Sequence, residues 1–106
     1  MSQVTIAGLW VEHFVKDFIM QNKVTVFSRN FLPECIQAKE LLNQNNIQFL
    51  DVDIEKGDYT LEFDNSLKAK TGQHNYPMIF IKQQYIGNFN DLVNLHHSGE
   101  LQRMLQ

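Results

Sequence analysis

Lys23-Val24-Thr25-Val26-Phe27-Ser28-Arg29-Asn30-Phe31-Leu32-Pro33-Glu34-Cys35 is the stretch on which the fold turns. Lys23 to Phe27 are mostly β-branched or aromatic and partly alternate, the pattern of a buried strand. Pro33 suits the first turn of a helix, where its missing N–H leaves no bond unmade, and the residues from there to Leu42 are strong helix formers. A strand, a short loop and a helix therefore follow one another closely.

Upstream, Val11, Phe14, Val15, Phe18 and Ile19 fall at helical spacing with Glu12, His13, Lys16 and Asp17 between them, which predicts an amphipathic helix over 11–20. Residues 1–10, ending in Trp10, are expected to be an N-terminal extension to a domain spanning 11–106. An added helical turn and a partner contact both suit that extension. Downstream, Phe49 to Asp53 alternates as a strand does, and Tyr59 to Thr71 reads as a helix that stops at Gly72. Met78 to Ile81 and Tyr85-Ile86 read as short strands joined through Lys82-Gln83-Gln84. Helices over 90–97 and 100–105, parted by Gly99, complete an α/β order without linker or repeat.

Composition removes several classes of function. A chain of 106 residues with 43% hydrophobic side chains has room for one core. The net charge of -3 offers no broad basic field, so nucleic acid is not an expected partner. Lys16, Asp17, Lys23 and Arg29 interrupt the most apolar stretch, and no membrane span is expected. The early segment carries Glu12 and Asp17 and no arginine, unlike a secretory signal or an ordinary mitochondrial presequence. A cytoplasmic location, or a mitochondrial one by non-classical targeting, is expected, and secretion is not. The single cysteine, Cys35, cannot close an intrachain disulfide. With it, His13, His74, His96 and His97 lack the paired spacing of a zinc site, so no metal is expected.

Several segments, in this order and spacing, together resemble the glutaredoxin family. They are Lys23 to Cys35, Lys39 to Leu42, Thr71-Gly72-Gln73, Tyr76-Pro77, Phe80-Ile81, Ile86-Gly87, Asp91-Leu92 and His97-Ser98-Gly99-Glu100-Leu101. The resemblance implies a thioredoxin-like α/β fold of glutaredoxin type, with a four-stranded mixed sheet flanked by helices and a cis Pro77 facing the Leu32 loop. In that family a Cys-x-x-Cys motif meets the start of a helix, and its first cysteine is the nucleophile, held as thiolate by the helix N-terminus. Here the motif reads Leu32-Pro33-Glu34-Cys35. Leucine has no lone pair with which to attack a disulfide, so the mixed-disulfide step lacks its attacking atom. Iron–sulfur ligation through that position is lost with it.

Cys35 stands at the family's resolving position and shares a helical face with Ala38 and Leu42, which makes it a candidate core thiol. Burial and Glu34 would raise its pKa, while the helix N-terminus would lower it. The resemblance further implies a glutathione site, with no other cofactor required. Arg29 would meet a glutathione carboxylate, Gln73 would add a polar contact, Tyr76-Pro77 would offer backbone hydrogen bonds, and Asn90 and Asp91 would hold the γ-glutamyl end. Asn88 replaces a glycine of the family, adding a side chain where backbone approaches ligand; Asp91 serves equally as a cap of the helix after it.

Around the same position, Phe31, Leu32, Ile36, Tyr76 and Phe89 are apolar or aromatic, as in a patch that anchors a protein partner or that fills the vacated pocket. Two functional readings stand. The leading one is a catalytically silent domain acting as a binding or structural subunit of a larger assembly, with residual glutathione binding. The competing one is a glutathione-dependent thiol-disulfide oxidoreductase working slowly through Cys35.

Overall fold

The structure, a computed structural model, describes residues 5–106. Helix α1 (Ile6–Gln21) opens on Thr5, whose hydroxyl oxygen accepts the Gly8 N–H at 2.9 Å. Its inner face buries Val11, Val15 and Ile19, as the spacing predicts. The boundary expected at residue 11 nevertheless falls inside this helix, and residues 1–4 of the expected extension lie outside the described residues. The early start escapes a search for amphipathic contrast because Ile6, Leu9 and Trp10 are apolar yet exposed.

Strand β1 (Val24–Ser28) is buried throughout and lies inside a four-stranded sheet of order β2-β1-β3-β4. Helix α2 (Pro33–Gln44) follows it, and β2 (Leu50–Asp53) returns parallel to β1. Helix α3 (Thr60–Thr71) ends at Gly72, whose φ of 73° is the left-handed geometry that glycine accepts without strain. Strand β3 (Met78–Ile81) runs antiparallel to β1, and β4 (Gln84–Gly87) runs antiparallel to β3. Ile81 pairs with Gln84, so the turn between these strands is Lys82-Gln83, one residue shorter than expected. Both residues have positive φ, 48° and 72°, the twist a two-residue hairpin needs. Helices α4 (Phe89–Ser98) and α5 (Glu100–Met104) close the chain.

Alternation along β1 and β3 divides the core between the faces of the sheet. Val24, Val26, Ile79 and Ile81 pack with Ala38, Leu42, Leu92 and Leu101, from α2, α4 and α5. Phe27, Met78 and Phe80 pack with Val11, Val15, Ile19 and Leu67, from α1 and α3. Cys35 is buried with Ala38 and Leu42 on α2 but joins the second group, beside Phe27 and Tyr76. The helix start carrying it thus lies over the end of β1, against the loop before β3.

Candidate functional site

The loop leaving β1 is built by polar side chains. Ser28, buried at the strand end, donates its hydroxyl to Asp51 Oδ1 at 2.8 Å. The other oxygen of Asp51 accepts Lys39 Nζ at 2.9 Å, Lys39 also reaches Asn30 Oδ1, and Asn30 Nδ2 donates to Asp53 Oδ2 at 2.9 Å. Groups from β1, β2 and α2 thereby fix the Arg29–Leu32 turn, which the Leu32 N–H closes on the Arg29 carbonyl at 2.9 Å.

Leu32 is the N-cap of α2. Its backbone is extended (φ -85°, ψ 129°), its carbonyl accepts the Cys35 and Ile36 N–H groups, and its side chain caps nothing. The half-buried isobutyl group packs instead against the core around Phe27 and Cys35. Cys35, one turn on, is 0% exposed. Burial pushes its thiol up; a hydrogen bond at the Arg29 backbone and the Lys39 ammonium pull it down, Glu34 and Asp51 oppose them, and the net direction is up. At neutral pH this sulfur is a neutral thiol without access to solvent.

The Tyr76-Pro77 peptide is cis, as the resemblance implies. Tyr76 is 5% exposed, and its hydroxyl donates to Asp64 Oδ1 at 2.8 Å. Burial, followed by the bond to Asp64 and its charge, pushes the phenol well above its ordinary value. Of the two expectations for Tyr76, a partner patch and a filler of the vacated pocket, the first is corrected for this residue: its ring fills the interior, where its hydroxyl finds a carboxylate. Pro77 is buried beside it.

Between these segments lies a cleft of about 480 Å³. Arg29, Leu32 and Glu34 form one wall, His74, Asn75 and Tyr76 a second, and Asn88, Phe89 and Asn90 a third. Of the residues expected at a glutathione site, the cleft gathers Arg29, Tyr76 and Asn90, and of those expected at an interface it gathers Leu32, Tyr76 and Phe89. Phe31 and Ile36 are exposed but lie outside its lining, as does the exposed Gln73, whose N–H is held by Thr71 Oγ1 at 3.1 Å.

Asn88 and Asp91 form a capping box at the start of α4. The Asn88 N–H donates to Asp91 Oδ2 at 2.9 Å, and the Asp91 N–H to Asn88 Oδ1 at 3.1 Å. One oxygen of Asp91 is therefore committed to the helix start. Asn88 is extended (φ -101°) and needs no left-handed tolerance; Gly87, at φ 121°, carries that requirement.

Sequence reasoning missed His74 and Asn75, which no pattern marks; it gave Asp91 as a helix cap but missed the reciprocal part of Asn88, which the spacing Asn88-x-x-Asp91 did signal. It also missed Glu55, whose carboxylate holds the Arg29 guanidinium. Arg29 further lies 5.5 Å from the Phe31 ring centre and 5.8 Å from that of Tyr76. A lone guanidinium, side-chain amides and backbone groups suit an anionic peptide held without covalent capture, since no thiol lines the cleft. Among the described residues no group of three or more His, Cys, Asp and Glu is placed to hold a metal ion.

The comparisons agree with this architecture. The glutaredoxin family model matches residues 24–86. Glutaredoxin-2 of Schizosaccharomyces pombe is 36% identical over 92 residues, covering 87% of this chain and 84% of that protein. A glutaredoxin of Vernicia fordii is 33% identical over 86 residues, 81% of this chain and 83% of that one. The crystal structure of a buckwheat glutaredoxin-glutathione complex superposes with a TM-score of 0.89, covering 93% of this chain and 90% of that chain; at 22% identity this likeness bears on the fold. Sheet order, helix placement and these matches together make the chain a member of the glutaredoxin family.

Proposed function

We propose that this chain is a glutathione-binding domain of the glutaredoxin family that has lost the thiol-exchange step and serves as a binding or structural subunit. Family membership supports a glutathione-related thiol redox setting. The observation that carries the finer reading is at the start of α2: the N-cap side chain facing the cleft is Leu32, and the lone thiol, Cys35, is fully buried one turn further on.

A glutathione carboxylate would meet Arg29, the backbone next to Tyr76-Pro77 would pair with the cysteinyl unit, and Asn90, with the free oxygen of Asp91, would receive the γ-glutamyl end. Gln73 would add a contact from the rim. Leu32 and Phe89 would supply the apolar contacts with a protein partner, flanked by the exposed Phe31 and Ile36. Helix α1 lies wholly ahead of the matched segment, and its first turns offer Trp10 to solvent. Among the described residues no helix is long and apolar enough to cross a membrane. A cytoplasmic or mitochondrial location remains the proposal.

The competing reading, slow turnover through Cys35, requires α2 to open at its start so that a raised-pKa thiol reaches solvent. Titration with reduced glutathione, followed by amide chemical shifts, tests binding: shifts at Tyr76, Asn90 and Asp91 with a dissociation constant on the order of millimolar are expected. Unmoved resonances at that concentration would mean a closed cleft.

A further inference from the structure

Arg29 is the one side chain with a fixed positive charge among the cleft-lining residues, and Glu34 stands on the same wall. Its guanidinium is already engaged: Nε and a terminal nitrogen both meet Glu55 Oε1, from the turn after β2. The rings of Phe31 and Tyr76 flank it at 5.5 and 5.8 Å, which restricts its swing and keeps the charge at the cleft rim. Glu55 has its backbone N–H held by Asp53 Oδ1 at 3.0 Å, while its side chain, 33% exposed, meets solvent about as much as that of Arg29, at 34%. An anion entering the cleft thus meets a guanidinium whose charge is balanced and whose fork is partly filled.

We propose that Glu55 is an internal competitor that sets the charge selectivity of the cleft: its carboxylate occupies Arg29 and is displaced when a ligand carboxylate binds. The inference rests on the glutathione reading above and adds a selectivity residue that the family resemblance does not contain. Ligand affinity then reflects an exchange of one carboxylate for another at a fixed guanidinium. A ligand with a free carboxylate at that end gains from removal of Glu55; one with the carboxylate masked does not.

The experiment titrates the full chain and its Glu55→Gln variant with reduced glutathione, and in parallel with the glutathione diester, in which both carboxylates are masked. Glu55→Gln is expected to bind reduced glutathione about two- to fivefold more tightly, the range of an exposed ion pair, and the diester unchanged. In an Arg29→Gln background the gain should vanish. Equal affinity of wild type and Glu55→Gln for reduced glutathione overturns the inference and leaves the glutathione reading standing. A gain that persists without Arg29, or that extends to the diester, assigns the effect to the general field and overturns it too. Absence of binding in every variant, with amide dispersion intact, instead overturns the glutathione reading, and this inference with it.

Discussion

The Tyr76 hydroxyl donates to Asp64 Oδ1 at 2.8 Å, tying the loop in front of β3 to α3 at the back of the cleft. This bond explains why an aromatic side chain next to the site is interior, and it makes the site sensitive to alkali. The phenol sits above its ordinary value of about 10, by burial and then by Asp64, so the unfolded chain loses this proton first. The stabilisation is therefore whole below about pH 10 and is lost as pH rises toward the folded value. Tyr76→Phe should cost about 1–2 kcal/mol at pH 7, since it strands the Asp64 end of a charge-assisted bond. Denaturant midpoints measured between pH 7 and 11 should fall less steeply in the variant; identical slopes would mean that Tyr76 ionises freely.

Cys35 is expected to behave as a core group. Cys35→Ala should cost about 1 kcal/mol, and Cys35→Ser about 1–3 kcal/mol, because the hydroxyl enters an apolar cluster. Iodoacetamide alkylation should be slow in the native protein and rise only above the free-thiol value of about 8.5, in keeping with the upward push of burial. Rapid alkylation at pH 7 would place the thiol at the surface.

Gly87 is fixed by its neighbour. A Cβ there would lie 2.0 Å from Asp91 Oδ2 and 2.8 Å from Asp91 Cβ, at a φ of 121° that L residues rarely adopt. Gly87→Ala should therefore break the capping box as well as strain the backbone, at about 2–4 kcal/mol, whereas Asn88→Ala loses only the cap, about 1 kcal/mol. Thermal melts of the two variants should rank in that order.

Much of this architecture was legible in the sequence, because strands such as Val24 to Phe27 and Met78 to Ile81 declare themselves by composition and Gly72 and Gly99 mark helix ends. The hairpin was read one residue too long because Lys82-Gln83 adopts positive φ without the Asn or Gly that usually signals it. The site was legible where one segment supplies it, as at Leu32 to Cys35. It was not where distant residues meet: Lys39 with Asp51 and Asn30, Arg29 with Glu55, and Tyr76 with Asp64 depend on the sheet register. The sequence leaves Tyr76 open between partner patch and pocket filler because only its partner in α3 decides for burial.

Leu32→Cys places a thiol at the N-cap of α2, where the unpaired N–H groups of the first turn favour an anion. Its pKa should fall below about 8.5, and mild oxidation should join it to Cys35, one turn away. An introduced thiol that titrates like a free one would mean that the loop lacks the geometry assigned to it.

Reduction of a glutathionylated peptide by glutathione, followed for wild type, Cys35→Ser and Leu32→Cys, bears most directly on the loss of thiol exchange at this site. Wild type and Cys35→Ser should both match the rate without protein, and Leu32→Cys should exceed it. Turnover by wild type that disappears in Cys35→Ser would show that the buried thiol performs the chemistry and would contradict the account.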